Sequence, residues 1–154
     1  MSTGERSFDD VTAVLSDMDG TLYVSDQLIP GADDFVAMLR EREIPLLFMT
    51  NNSSARAVKY RDRLRRIGIP AELDDILTSG AATAFHLREE TPHRRVLLLG
   101  TPELREEFEE TGFTVLDAHD AAEPDCVVVG FDKTLTYARL ERACLLLAEG
   151  CPYY

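Results

Sequence analysis

Val11-Thr12-Ala13-Val14-Leu15-Ser16-Asp17-Met18-Asp19-Gly20-Thr21-Leu22 is an apolar, β-branched run that ends in two carboxylates one residue apart and passes at once into Gly-Thr. The pattern predicts a buried strand that delivers charged groups to its carboxyl end, where open α/β sheets bind their ligands. Residues i and i+2 of a strand share a face, so Asp17 and Asp19 converge on one site if the pleat continues. Two carboxylates so placed repel each other and require a divalent cation, a shared proton or a substrate whose chemistry separates their roles. The plainer alternative is a pair of loop residues after a strand, since Asp-Gly by itself marks turns.

Moving outward from that strand, Tyr23 to Ile29 reads as a small turn or hairpin beside the Asp17 site, and Pro30-Gly31 punctuates it. Phe35, Met38, Leu39 and Arg42 keep helical spacing from Gly31 to about Glu43. Ile44 to Met49 is the next strand and ends at Thr50-Asn51-Asn52-Ser53-Ser54. A helix from Ala55 follows, with Ala57, Tyr60, Leu64 and Ile67 on its buried face and its arginines on a solvated one, stopped by Gly68. Asp75–Thr78 predicts a third strand and Ser79–Glu90 a third helix, and Thr91-Pro92 breaks the pattern. Beyond it come a strand at Val96–Leu99, a helix with Thr101 as N-cap and Pro102 in the first turn, and a strand at Phe113–Leu116. A buried strand at Cys126–Val129 then leads to a helix from about Thr136, with Tyr137, Leu140, Cys144 and Leu147 on its inner face. Cys151 to Tyr154 opens another strand. Alternating β and α elements predict an α/β fold with a mainly parallel sheet.

Composition narrows the classes. The chain has 154 residues, 45% of them hydrophobic, and a formal net charge of −12, with the larger acidic surplus after residue 95. Such a surface disfavours nucleic acid and anionic membrane, and the arginines of the second helix, interrupted by Asp62, do not reverse that. An anionic substrate must be drawn in by a local site, a metal or helix N-termini. Cys126, Cys144 and Cys151 show no zinc or disulfide spacing, and His86 and His93 have no carboxylate or Cys partner at ligand spacing. Without an apolar leader or a membrane-length run, the expected location is cytoplasmic.

At the first strand end, a carboxylate nucleophile with a second carboxylate two residues on fits phosphoryl transfer through an aspartyl-phosphate. The first attacks phosphorus; the second protonates the leaving oxygen and then activates water. Mg²⁺ is the hard cation that suits such oxygen ligands. Thr50 to Ser54 offers hydroxyls, amides and backbone N–H groups at a strand-to-helix junction, a natural phosphate cradle. An ordinary N-cap cluster for the following helix is the alternative.

Asp17-Met18-Asp19-Gly20-Thr21-Leu22 followed by Thr50-Asn51-Asn52-Ser53 resembles the first and second motifs of the haloacid dehalogenase (HAD) superfamily of phosphatases, and most closely its NagD-like or p-nitrophenylphosphatase-type subfamily. Ile76-Leu77-Thr78-Ser79-Gly80 and Val127-Val128-Val129-Gly130-Phe131-Asp132 with Thr136-Tyr137 also resemble that subfamily. The resemblance implies a partial HAD-like, Rossmannoid parallel-sheet core with an inserted α/β cap: residues 1–90 as the N-terminal part of the core with its first three strands, and 91–154 as part of the cap. It implies Asp17 as nucleophile and Mg²⁺ ligand, Asp19 as general acid and base with its carbonyl on the metal, and Thr50, Asn51 and Asn52 as phosphoryl-binding residues. The implied partner is a small phosphorylated metabolite, and because related caps often mediate homodimers, a partial dimer surface at most is expected in the cap.

The family's third motif, a lysine, and its fourth, an acidic cluster, lie downstream of the cap, and this chain ends before them. The expectation is therefore the front portion of such a phosphatase, inactive or weak by itself. Lys133 lies in the cap-like region and does not take the missing lysine's role. Asp132-Lys133-Thr134-Leu135-Thr136 resembles the phosphorylated loop of ion-pumping ATPases, but with Leu in place of Gly. Two other readings compete: a catalytically incompetent fragment or interaction protein completed by a partner at its open sheet edge, and a response-regulator-like phosphoacceptor.

Overall fold

A computed structural model describes residues 10–154. The strand that opens the chain starts later than the apolar run suggests: β1 is Val14–Asp17. A hairpin follows, β2 (Tyr23–Val24) and β3 (Gln27–Leu28), antiparallel about Ser25-Asp26. Then come α1 (Ala32–Glu41), β4 (Leu46–Thr50), α2 (Ala57–Arg66), a single 3₁₀ turn at Leu73–Asp75 and β5 (Ile76–Thr78). The chain continues through α3 (Ser79–Glu90), β6 (Arg95–Leu99), α4 (Pro102–Glu110), β7 (Thr114–Leu116), β8 (Cys126–Val129) and α5 (Tyr137–Ala148). The fold is α/β, with parallel pairing in both larger sheets.

The chain divides into two compact units. The first holds the described residues through Thr50 together with Tyr60–Leu77; the second holds Asn51–Lys59 and Thr78–Tyr154.

In the first, the strand order is β1-β4-β5. β1 and β4 run parallel, with Val14 opposite Leu46 and Asp17 opposite Met49. A parallel pair needs a crossover between its strands, and α1 provides it. Val36 and Leu39 of α1, Phe48 of β4, Leu64 of α2 and Ile69 are all buried, each adding roughly 1.5–3 kcal/mol by leaving water. Gly68, at φ +96°, ends α2 in the left-handed conformation that a side chain resists.

In the second unit, the order is β7-β6-β8, all parallel. Period-2 alternation sorts β6 onto two faces. Val96 and Leu98 pack with Ala84 and Leu87 of α3 and Leu104 and Phe108 of α4, while Leu97 and Leu99 pack with Val127 and with Ala143 of α5. Local capping agrees with the sequence reading: the side-chain oxygens of Thr101 and Thr136 accept the N–H groups of Leu104 and Arg139. The final segment, expected to open a strand, pairs with β8. Val127 N–H donates to Pro152 O, Tyr154 N–H to Val127 O, and Val129 N–H to Tyr154 O, at 2.9–3.0 Å.

One buried face differs from its expectation. Tyr137, Leu140 and Cys144 of α5 are exposed, and Ala143, with Leu146 and Leu147 partly covered, meets the sheet instead. The helix is apolar on most sides, Leu145 included, so its periodicity allows more than one phase. The position at which it crosses Leu97, Leu99 and Val127 selects one. Among the described residues no helix is long and apolar enough to cross a membrane.

Candidate active site at the carboxyl ends of β1 and β4

The burial of the chain around β1 alternates. Ser16 and Met18 are buried, while Asp17 and Asp19 are exposed. Ladder pairing with β4 stops at Asp17, and the alternation of burial runs on to Asp19. Because β1 and β4 are parallel and Asp17 lies opposite Met49, Thr50 leaves the sheet one residue beyond Asp17 at the same end. Thr50 is 6% exposed. Beyond Asp17 the chain turns tightly: Met18 O accepts the N–H of Leu22 at 2.9 Å, and Gly20 takes φ +83°. That conformation favours Gly, which the Asp-Gly pair supplies.

Asp19 has neighbours that sequence reasoning missed. The Tyr23 hydroxyl donates to its Oδ2 at 3.4 Å, and Arg63 Nη1 lies 3.7 Å from its Oδ1. The Arg63 guanidinium also stacks over the Tyr23 ring, 5.2 Å from its centroid, and its Nε lies 3.3 Å from Asp26 Oδ1 at the tip of the hairpin. Burial pushes the Tyr23 phenol up to about 12, with the negative charge of Asp19 adding to it against the hydrogen bond to Arg63. Tyr23 is therefore a neutral hydrogen-bond donor at any physiological pH. Its hydrogen bond to Tyr23 raises the Arg63 guanidinium above its already high range. Arg63 was expected on the solvated face of α2; it corrects that reading. The available signal was its position, three residues after Tyr60 and next to Leu64, which flanks the buried stripe.

Asn51 and Asn52 belong to the second unit, where the polar cluster serves the loop. Asn51 O accepts the Ser79 hydroxyl at 3.0 Å, and Asn52 Oδ1 accepts the Ser54 N–H at 2.9 Å. Ser53 Oγ accepts the Phe131 N–H at 2.8 Å. The helix that follows starts at Ala57, and the oxygens of Asn52 and Ser53 are engaged in these loop contacts. A cleft of about 270 Å³ in this unit is lined by Asn51, Ser53, Ser79, Gly130, Phe131 and Tyr154 among others.

The Asp132 segment has a structural explanation. The Asp132 side chain is 3% exposed; its Oδ1 accepts from the N–H and hydroxyl of Thr134, and its Oδ2 lies 3.0 Å from Arg139 Nη1. That carboxylate is committed to holding a turn. Lys133 rests over the Phe131 ring at 5.6 Å.

Asp17 and Asp19 fit Mg²⁺ in donor type, two hard carboxylates on an exposed strand end. Among the described residues no group of three or more His, Cys, Asp or Glu side chains comes together to hold a metal ion, so these two would supply only part of a coordination shell.

A family model described as haloacid dehalogenase-like hydrolase matches residues 14–114. The 5'-nucleotidase YutF of Bacillus subtilis is 34% identical over 139 residues, which is 90% of this chain and 53% of that protein. Among solved structures, 4-nitrophenylphosphatase from Thermotoga maritima superposes with a TM-score of 0.85 at 44% identity, covering 94% of this chain and 54% of that one. Glycerol phosphate phosphatase from Mycobacterium tuberculosis, solved in complex with magnesium, gives 0.76 at 31%, covering 90% and 41%. The chain spans about half the length of the curated relatives it matches.

Proposed function

The chain belongs to the haloacid dehalogenase-like hydrolases, and on that premise we propose that it carries the nucleophile of a Mg²⁺-dependent phosphatase acting on small phosphate monoesters. One observation carries the reading. The parallel register of β1 and β4 puts Asp17 and Thr50 at the same end of the sheet, with Asp19 exposed two residues beyond Asp17. The relatives and neighbours named above are, by name, a 5'-nucleotidase, a 4-nitrophenylphosphatase and a glycerol phosphate phosphatase, which supports the substrate class.

In the proposed reaction, an Asp17 carboxylate oxygen attacks phosphorus and the bond from phosphorus to the ester oxygen breaks. Asp19 gives its proton to the departing oxygen, and the alcohol leaves. The same carboxylate then takes a proton from a water that attacks the aspartyl-phosphate, releasing phosphate and restoring Asp17. The Thr50 hydroxyl holds a phosphoryl oxygen, and the family resemblance implies Asn51 and Asn52 as further phosphoryl-binding residues. Asp17 and the Asp19 carbonyl would hold Mg²⁺, which when bound would neutralise charge between an anionic nucleophile and an anionic substrate. Residues 1–90 are read as the N-terminal part of the core and residues 91–154 as part of the cap.

The test is turnover of p-nitrophenyl phosphate with Mg²⁺ by this chain and by Asp17→Asn. Activity that is lost in the variant and on chelation supports the reading; equal turnover in both proteins overturns it.

A second reading, a non-catalytic chain completed by another polypeptide, is favoured by the edge position of β1, where Leu15 is 68% exposed. A monomer in sedimentation, together with a cooperative denaturant transition, would remove it.

A further inference from the structure

We propose that Arg63 is the positioning residue for Asp19, acting as a latch that fastens the β2–β3 hairpin to α2 and, together with Tyr23 on the other oxygen, holds the Asp19 carboxylate. This inference rests on the reading of Asp19 as the proton donor and acceptor.

Three contacts converge on one guanidinium. Nη1 faces Asp19 Oδ1 at 3.7 Å, Nε faces Asp26 Oδ1 at 3.3 Å, and the plane covers the Tyr23 ring at 5.2 Å. Tyr23 closes the arrangement by donating to the other Asp19 oxygen at 3.4 Å. Asp19, Tyr23 and Arg63 thus form a triangle, in which rotation of the Asp19 side chain breaks two contacts rather than one. Arg66 Nη1, 3.6 Å from Asp26 Oδ1, adds a second hold on the hairpin tip.

The hairpin requires such a hold. Its two strands are two residues each, and a two-stranded ribbon of that length is not stable by itself. Its first loop residue, Ser25, sits at φ +54°, a conformation that favours Gly. The same hairpin is bonded to the catalytic turn: Gly20 N–H donates to Tyr23 O at 2.8 Å, and Ile29 N–H to Leu22 O at 2.9 Å. Loosening the hairpin therefore loosens the backbone that carries Asp19. Arg serves this position better than Lys because a flat fork can meet two carboxylates and a ring face together, which a point charge cannot.

Two measurements on Arg63→Met and Arg63→Lys decide the matter. In amide hydrogen exchange, Arg63→Met is expected to speed exchange at Gly20, Tyr23 and Ile29 about tenfold while leaving Phe48 in β4 unchanged, with Lys restoring part of the protection. Unchanged exchange at all three amides, or an equal rise at Phe48, overturns the proposal, because the second outcome is general destabilisation. In p-nitrophenyl phosphate turnover, Arg63→Met is expected to lower kcat about tenfold with KM nearly constant. A rise in KM alone overturns positioning in favour of substrate binding. If this chain shows no Asp17-dependent turnover, the functional reading fails and the exchange measurement alone decides whether the latch exists.

Discussion

Ser53 Oγ accepts the main-chain N–H of Phe131 at 2.8 Å, a bond between residues 78 apart in the chain. It joins the loop after β4 to the end of β8 within the second unit, and Gly130 makes the approach possible. A Cβ on Gly130 would lie 2.9 Å from Ser53 Oγ and 2.5 Å from the Leu104 side chain. Ser53→Ala leaves the Phe131 N–H without its acceptor and is expected to cost about 1–3 kcal/mol. Gly130→Ala is expected to cost a similar amount by overpacking. Both are read from denaturant midpoints, and the double variant should fall short of the sum because the two changes act at one contact.

Glu107 on α4 faces the start of α3. Burial raises its carboxyl above the usual range, against the lowering effect of Arg56 and of a hydrogen bond with Thr78. The folded chain therefore keeps this proton at pH values where the unfolded chain has lost it. Stability declines as pH rises from the ordinary carboxylate value through the raised one, and levels off above it. Glu107→Gln should remove that decline. Urea midpoints should show the variant gaining on the parent protein as pH rises through that window.

Gly80 tests the same packing by volume. A Cβ there would meet Glu107 Oε2 and Leu104 Cδ1, each at 2.5 Å. Gly80→Ala should destabilise by about 1–3 kcal/mol. Pairing it with Glu107→Ala should recover part of the loss, because the glutamate tip is one of the two obstacles; an unchanged midpoint in the pair would assign the whole effect to Leu104.

Asp125 ties the start of β6 to the loop before β8. It accepts the N–H groups of Arg94 and Arg95 at 2.9 and 2.8 Å, and its other oxygen accepts the Arg95 guanidinium at 2.8 Å. The Arg95 side chain, followed by those backbone donors, holds its carboxyl down at about 2. A depressed carboxyl contributes stability that is present above the ordinary value near 4 and lost as pH falls toward 2. Asp125→Asn should cost about 1–2 kcal/mol at neutral pH and almost nothing at pH near 2, as thermal unfolding across that range would report.

Asp132 is expected to be structural. Removing its charge with Asp132→Asn leaves Arg139 without its ion pair and should cost about 3 kcal/mol in unfolding experiments. Incubation with a phosphoryl donor should leave Asp132 unmodified, as mass spectrometry of the intact and digested chain would check.

Much of this architecture was legible in local pattern. The limits of α3 at Ser79 and Glu90, the cap at Thr101 and the start of α5 next to Thr136 follow from short-range signals. Periodicity, capping and turn chemistry act over a few residues, so a few residues suffice to read them. Where several phases were open, the pattern underdetermined the outcome: α5 buries Ala143 rather than Tyr137 and Leu140. For the candidate site, the apolar run before Asp17 was sufficient to place that carboxylate at the end of a strand.

Sequence alone determined the α/β alternation, the two carboxylates at the end of β1 and the polar stretch after β4, since each is a property of neighbouring residues. Only tertiary structure decided that Arg63 reaches back to Asp19, that Ser53 serves Phe131 and that Asp132 is bound by Arg139. The Arg63 and Ser53 contacts join residues 44 and 78 positions apart, and all three depend on directions that packing sets. The strand end supplies the carboxylates, and the packed chain around it determines how they are held.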